Sequence, residues 1–352
     1  MAGKIKINTV AYKGSKRKLV KHINQYANEI GAKSAFDGFS GSGIVSAHMR
    51  LEGLITYAND LNISSYIYGR VFLEGYNTEV VHRHIEMMSN ITPTVGWLTS
   101  NYSGYVDRVI KNTGGRIESR PLGLIRKNAM VLDAARDYVE NLSDIDERDR
   151  NALIFSIILA FNKVFNNTAD QKSSLKNWST KSLKDVVFVP PTLISGPCGF
   201  QLKGDVFNID IPTVDFVYYD PPYSNGVLYS SCYHINDSIA IWDKPPLDKD
   251  YALPRPLRAA IRKNKQSGRP FYSKKTIHDD FVRLLASRSA KRIVMSYSDA
   301  PRNLITIDDL ATIASKFGNV KIDKHDHKIA MQPKTQKKIS KSLNEYFIVI
   351  DK

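Results

Sequence analysis

The sequence predicts an α/β fold on a mostly parallel sheet, interrupted by a mostly helical insertion. Three observations carry this reading. The first 75 residues alternate strand, Gly-rich turn, helix, strand and helix. From about residue 76 to 200 that alternation gives way to longer helical periods. Short apolar strands then return as VDFVYY, RIVMSY and EYFIVI. At 352 residues and 42% hydrophobic content, the chain can bury a sizeable core.

The elements follow in order. Ser34 to Phe39 is a short apolar run that ends in GFSGSG. A helix over Ile44 to Glu52 follows, closed by Gly53, and LITYAND reads as the second strand. Helical sequence resumes over Ile63 to Glu74. In the insertion, Asn101 to Arg120 is polar with three glycines and reads as loop, whereas Leu124 to Leu142 and Asp149 to Phe165 read as helices. Val214 to Tyr219 is a continuous apolar strand that stops at DPPY. Residues 244 to 275 read as a second, basic loop insertion. Ile277 to Ala286 and Asp308 to Phe317 are helices, and Arg292 to Tyr297 and Glu345 to Ile350 are strands. The expected division is one domain from 1–75 and 201–352, with 76–200 inserted.

Composition limits the function classes. Lys and Arg number 50 against 35 Asp and Glu, a formal charge of +15, which points to a polyanionic partner. Cys198 and Cys232 form no CxxC, and no Cys/His cluster has zinc-finger spacing, so neither a metal site nor a disulfide framework is expected. No signal-peptide pattern opens the chain and no apolar stretch has membrane-spanning length.

Three N-terminal pieces suggest a nucleoside-containing cofactor. Phe39-Ser40-Gly41-Ser42-Gly43 sits between a strand and a helix, where glycines let the backbone approach a ligand. Asp60 ends the second strand, 17 residues after Gly43, where an acid can hold ribose hydroxyls; a helix cap is the competing role. Ala11-Tyr12-Lys13-Gly14-Ser15-Lys16 precedes a helix, and Lys16 could pair with the carboxylate of an amino-acid moiety.

The sharpest motif is Asp220-Pro221-Pro222-Tyr223. An exocyclic amine on a base is a poor nucleophile, because its lone pair is delocalised into the ring. Two acceptors on its two N–H bonds let the nitrogen move toward tetrahedral geometry. Asp220 can supply one acceptor and the Pro221 carbonyl the other, while Tyr223 stacks on a flipped base. The competing role is a strand-stopping turn.

Taken together, these motifs resemble the Dam-like D12 class of N6-adenine-specific DNA methyltransferases. The matching residues are YKGSK (Tyr12 to Lys16), FxGxG (Phe39 to Gly43), Asp60, GDVF (Gly204 to Phe207) and DPPY, in that order. Softer echoes are Asn128 to Arg136, Asn166 to Thr168 and Tyr233-His234. The resemblance implies a Rossmann-like S-adenosylmethionine-dependent methyltransferase sheet with an inserted DNA-recognition region. Its candidate catalytic residues are Asp220, Pro221, Pro222 and Tyr223. By it, S-adenosylmethionine would meet Tyr12, Lys16, Phe39, Gly41, Gly43, Asp60 and Leu61, together with Asp205, Val206 and Asp220. Tyr12 and Ser15 stand where the family often has Trp or Gly, which leaves the details of cofactor stacking open.

Double-stranded DNA is the expected partner. Eight Lys or Arg and no acid lie between Arg255 and Lys275, with Phe271 and Tyr272 as candidate wedge or stacking residues. Candidate phosphate contacts there are Arg258, Arg262, Lys263, Lys265, Arg269, Lys274 and Lys275. Arg116, Arg120, Arg126 and Lys127 form a second basic stretch. A monomer or weak dimer in the cytoplasm of a bacterium or phage-infected cell, associated with the nucleoid, is expected, with a cognate restriction endonuclease as a candidate partner. Alternatives are an N4-cytosine methyltransferase, where Ser more often replaces Asp220, and a non-catalytic DNA-binding protein on the same fold. RNA or a protein amide as substrate is a further alternative. A nicotinamide oxidoreductase lacks support without GxGxxG. Pro197-Cys198 resembles a cytosine carbon-5 motif but ends no core strand and is rejected.

Overall fold

A computed structural model describes residues 6–109, 117–167, 170–171, 175–222, 229–248, 253–254, 270–300, 303–327 and 343–352. In chain order its elements begin with α1 (Val20–Glu29), β1 (Ser34–Asp37), α2 (Ile44–Leu51), β2 (Ile55–Asp60) and α3 (Ile63–Glu74). Next come α4 (Thr78–Ser89), α5 (Trp97–Tyr102), β3 (Tyr105–Val109), β4 (Ile117–Pro121), α6 (Arg126–Glu140) and α7 (Glu147–Val164). β5 (Phe200–Lys203), β6 (Phe216–Tyr219), α8 (Tyr229–Cys232), α9 (His234–Ile241), β7 (Leu247–Asp248) and β8 (Leu253–Pro254) follow. The chain then forms α10 (Ile277–Ala286), β9 (Arg292–Ser298), α11 (Ile307–Ala314), β10 (Asn319–His327) and β11 (Leu343–Asp351).

The chain divides into two compact units. The sheet unit is Gly14–Glu74, Ile194–Leu228 and Arg262–Lys352; the helical unit is Met1–Lys13, Gly75–Leu193 and Tyr229–Ile261. The first 13 residues and the segment after DPPY thus group with the middle of the chain, unlike the division expected from sequence.

The sheet unit holds seven strands in the order β10-β11-β9-β6-β1-β2-β5. All neighbours are parallel except β11, which runs antiparallel to β9 and β10. This is the α/β sheet of the expected methyltransferase fold. Every residue of β6 is buried, as a strand covered on both faces requires. Phe36, Val217, Tyr219, Met295 and Ile348 join Phe281 and Leu284 of α10 in one core. Side chains alternate across strands, so Tyr218 and Phe347 face the other way. There Tyr26 of α1 meets Phe347 edge to face at 5.6 Å. The helix α1 is positioned by Val20, Ile23 and Ala27, an apolar stripe at helical spacing. The sheet reverses its order at β1, flanked by β2 and β6, and the crevice beyond such strand ends is where open α/β sheets take ligands.

The helical unit is organised by α7. Asp146 caps it by accepting the Arg148 N–H, and nearly every side beyond the first turn is buried. The Asn128 to Arg136 string turns out to be a clamp within this unit. Asp133 accepts from the backbone N–H groups of Gly96, Leu98 and Thr99 at 2.8–3.1 Å. Arg136 donates to the carbonyls of Ile239 and Ala240, and Asn128 to those of Ser182 and Lys184.

Three expectations are corrected. Residues 101–120, read as loop, include the antiparallel ribbon of β3 and β4. Its sequence, YVDRV and IESRP, has no apolar alternation, and the ribbon is defined by its backbone pairing. β5 and β10 were not anticipated. They are the two edges of the sheet, where short or charged strands are usual and hydrophobic patterning is weak.

Phe281 is fully buried at the centre of the sheet-unit core. Phe281→Ala is expected to destabilise the protein by about 3–5 kcal/mol. Urea unfolding followed by tryptophan fluorescence and circular dichroism checks this; a loss below about 1 kcal/mol, the range of surface changes, would contradict the packing.

Candidate active site

Because β1, β2 and β6 are parallel and adjacent, their carboxyl ends share one edge of the sheet. Each ends in an acid: Asp37 on β1, Asp60 on β2, and Asp220 immediately after β6. Asp37 lies in register with Ala58 on one side and Tyr218 on the other.

The Gly-rich turn starts where β1 stops. Gly41 and Gly43 adopt φ of 51° and 72°, and a Cβ at Gly43 would meet the Phe72 ring at 2.9 Å. The turn is pinned to β2: the Ser40 N–H donates to the Asn59 carbonyl, and the Gly41 N–H to Asp60 Oδ2 at 2.8 Å. Asp60 Oδ1 accepts from the Asn62 N–H at 2.9 Å. Burial raises the Asp60 carboxyl, and the Asn62 and Gly41 N–H donors oppose that rise. The cap-like role weighed for Asp60 is therefore present, joined to a second task of holding the turn. Leu61, the next residue, is 70% exposed at the strand end.

GDVF sits beside this turn. Asn59 Nδ2 donates to the Gly204 carbonyl at 3.0 Å, while Asn59 Oδ1 is buried with no partner among the described residues. Asp205 is exposed and accepts from the Phe207 N–H, and Val206 is buried in the core. Phe39 is half-buried, with edge contacts to Tyr219 and Phe271 near 6 Å. Phe271 is itself 3% exposed and packs on Phe207 and Phe281, so it is a core residue and not a candidate wedge for DNA.

Lys16 is the second centre of the site. It is 4% exposed, and its Nζ lies 2.6 Å from Asp220 Oδ2, 3.2 Å from the Gly14 carbonyl and 3.2 Å from Glu345 Oε1. The Glu345 contact is an ion pair without hydrogen-bond alignment. Lys16 thus meets two carboxylates of its own chain. Pro221 is buried and Pro222 half-buried beyond Asp220.

Sequence reasoning missed Asp37, Asn59, Gln201 and Glu345. Gln201 is buried beside Ser40, with its side chain 3.4–3.5 Å from the Ser40 hydroxyl. Asp37 is fully buried, accepts from the Ser46 hydroxyl at 2.6 Å and from the Phe39 N–H, and is pushed up to about 7 by burial. The nearby Asp220 and Asp60 carboxylates add to that rise, against the two donors. Its position just before the glycines, and the inward phase of Glu345 in EYFIVI, were the available signals.

Tyr12, half-buried in the helical unit, stacks on Tyr233 at 4.3 Å and 10°, and the Tyr233 hydroxyl accepts the Lys13 N–H. In the same unit Arg126 is exposed, and Lys127 pairs with Asp185 at the surface. Arg120 belongs to β4, in register with Val106. Lys274 and Lys275 are exposed in the sheet unit. Tyr223, Arg116, Arg258, Arg262, Lys263, Lys265 and Arg269 lie outside the described residues. Among the described residues no cluster of His, Cys, Asp and Glu could hold a metal, and no helix is long and apolar enough to cross a membrane.

A sheet of this order, with a Gly-rich turn after its first strand and an acid-Pro-Pro at the end of its fourth, defines a methyltransferase of the α/β type. The family described as D12 class N6 adenine-specific DNA methyltransferase matches residues 12–313. The chain belongs to that family, and is an adenine-specific DNA methyltransferase. It is 24% identical to Type II methyltransferase M.NlaIII of Neisseria lactamica, over 97% of this chain and 99% of that one. It is also 24% identical to Type II methyltransferase M.CviAII of Paramecium bursaria Chlorella virus 1, over 92% and 93%. Modification methylase StsI of Streptococcus sanguinis is 24% identical over 87% of this chain but 46% of its own length.

Asp37 carries a consequence for stability. Its carboxyl rises from an ordinary 3.8 to about 7 on folding. Between these values the native state keeps a proton that the unfolded chain has released, so stability falls as pH rises through that window and levels off above it. Asp37→Asn is expected to remove this part of the decline. Urea midpoints of both proteins between pH 5 and 8 test it; an unchanged decline in the variant would refute the assignment.

Proposed function

We propose that the strand-end site of the sheet unit binds S-adenosylmethionine and presents Asp220 and Pro221 to the N6 amine of an adenine extruded from duplex DNA. The observation that carries this reading is the placement of Asp220. It follows the fully buried strand β6, and its Oδ2 is fixed by a buried ammonium.

The residues present fit a nucleoside joined to an amino-acid moiety. Leu61 offers exposed apolar surface for a ring beside the Asp60 carboxylate. The orphaned Asn59 Oδ1 and the backbone of the turn at Gly41 and Gly43 offer polar groups close by. Asp205, exposed next to buried Val206, suits the polar edge of an adenine, and Phe39 lines the same turn. Tyr12 carries over from the family motif. S-adenosylmethionine, when bound, supplies a methyl group on a sulfonium centre, which needs no metal to be electrophilic.

The chain's own work is then positioning. Asp220 accepts one amine N–H and the Pro221 carbonyl the other, drawing the nitrogen out of conjugation with the ring. Pro222 stiffens the turn, and Tyr223 stacks on the extruded base. Lys16 holds Asp220 in orientation through the 2.6 Å contact to its Oδ2. The net charge of +15 supports a duplex DNA partner, with the basic side chains from Arg116 to Lys127 and from Arg258 to Lys275 on phosphates. The helical unit, with 244–275, is the candidate for target recognition. The relatives' names, Type II methyltransferase and modification methylase, support a modification role.

The test uses mixed-sequence duplex DNA and methyl-labelled S-adenosylmethionine, followed by nucleoside mass spectrometry. Label in N6-methyladenine is expected, falling at least about 100-fold in Asp220→Ala, as for loss of one preorganised polar group. Label in N4-methylcytosine, or full activity in the variant, would overturn the assignment. Leu61→Ala should weaken cofactor binding about tenfold, through roughly 1.4 kcal/mol of lost apolar contact, with the urea midpoint unchanged. Calorimetric titration giving wild-type affinity would remove Leu61 from the site.

A further inference from the structure

We infer that Glu345 is a positioning residue for the methyl-transfer reaction, acting on Asp220 through Lys16. The inference rests on the reading of Asp220 as the acceptor of the amine.

Glu345 lies on β11, between β9 and β10, and is 3% exposed. Residues at this phase of the strand are buried on the face that meets α1, as Phe347 and Val349 are. An apolar side chain would fill such a position at no electrostatic cost, and buried ion pairs are poor stabilisers compared with well-packed apolar residues. A buried carboxylate here therefore needs another explanation, and its neighbours supply one. Its Oε1 lies 3.2 Å from Lys16 Nζ, which also meets oxygens of Asp220 and Gly14.

A lysine stem has four rotatable bonds, so one partner leaves its ammonium free to swing. Oxygens from three separate parts of the chain confine it. The Ser296 hydroxyl of β9 bonds the Glu345 side chain and lies 2.9 Å from the Tyr218 hydroxyl. Tyr218 stands two residues before Asp220 on β6, so the network runs across three adjacent strands and returns to the catalytic loop. Burial pushes the Glu345 carboxyl up, and the Lys16 ammonium opposes that rise. The titratable groups around Glu345 are Lys16, Asp220 and Tyr218. His325, its register partner on β10, packs against Phe347 and His22.

Single-turnover methyl transfer to duplex DNA, at saturating cofactor, tests this in wild type, Glu345→Gln, Glu345→Ala and Asp220→Ala. Glu345→Ala is expected to be slower by about 30-fold, since small misplacements of reacting groups cost up to 100-fold, with cofactor and DNA affinities within about twofold of wild type. Glu345→Gln keeps an oxygen for Lys16 and should recover about tenfold of that loss. A Glu345→Ala enzyme with the wild-type rate, one whose whole loss is in cofactor affinity, or a Glu345→Gln enzyme no faster than Glu345→Ala overturns the inference. Should Glu345→Ala fail to fold, Ser296→Ala is expected to slow transfer about threefold at unchanged cofactor affinity, and an unchanged rate overturns the inference equally. Undiminished transfer by Asp220→Ala would show that the reading of Asp220 itself had failed.

Discussion

Around Lys16 the chain solves a problem that its sheet creates. Three parallel strands deliver three acids to one edge, and nearby like charges in a low-dielectric setting repel. One buried ammonium between Asp220 and Glu345 compensates the charge that must persist. Removing one partner from such a cluster strands the others without compensation, at a cost of about 3–5 kcal/mol. The positions of the catalytic loop, the start of α1 and the penultimate pairing of β11 all meet in this contact.

The three strand-end acids are chemically alike and are driven apart by their surroundings. Asp37 is sealed beneath the turn and held near neutrality by burial, with a serine hydroxyl as its partner. Asp60 has both oxygens on backbone N–H groups and so fixes the shape of the turn. Asp220 is joined to a cation and keeps partial access to solvent. One residue type thus provides a buried hydrogen-bond acceptor, a structural brace and a cation-paired acceptor within a single edge.

What could be read from sequence was what local pattern encodes. β1 and β6 are short, mostly buried runs and β2 is partly buried; each is followed by glycine, acid or proline, and those signals sit within a few residues of one another. The edge strands β5 and β10 lacked such a pattern, because one of their sides has no neighbour to require it. Glu345 and Lys16 stand at opposite ends of the sequence, and only the placement of β11 beside β9 brings them together. Phe271 misled for a related reason. A basic, aromatic-containing stretch looks like a nucleic-acid surface, yet this ring belongs to the core at the edge of that stretch. The Asn128 to Arg136 string resembled a functional motif and proved to brace helices of one unit.

The position of β11 also governs how the protein can be made. It inserts between β9 and β10, and β10 joins the sheet through β11 alone. A ribosome that has released β10 has released a strand with no place in the sheet. The interior gap closes only when residues 343–351 arrive, and the same event seats Glu345 against Lys16. Until that strand arrives β9 presents an open sheet edge, where unpaired strands invite wrong partners.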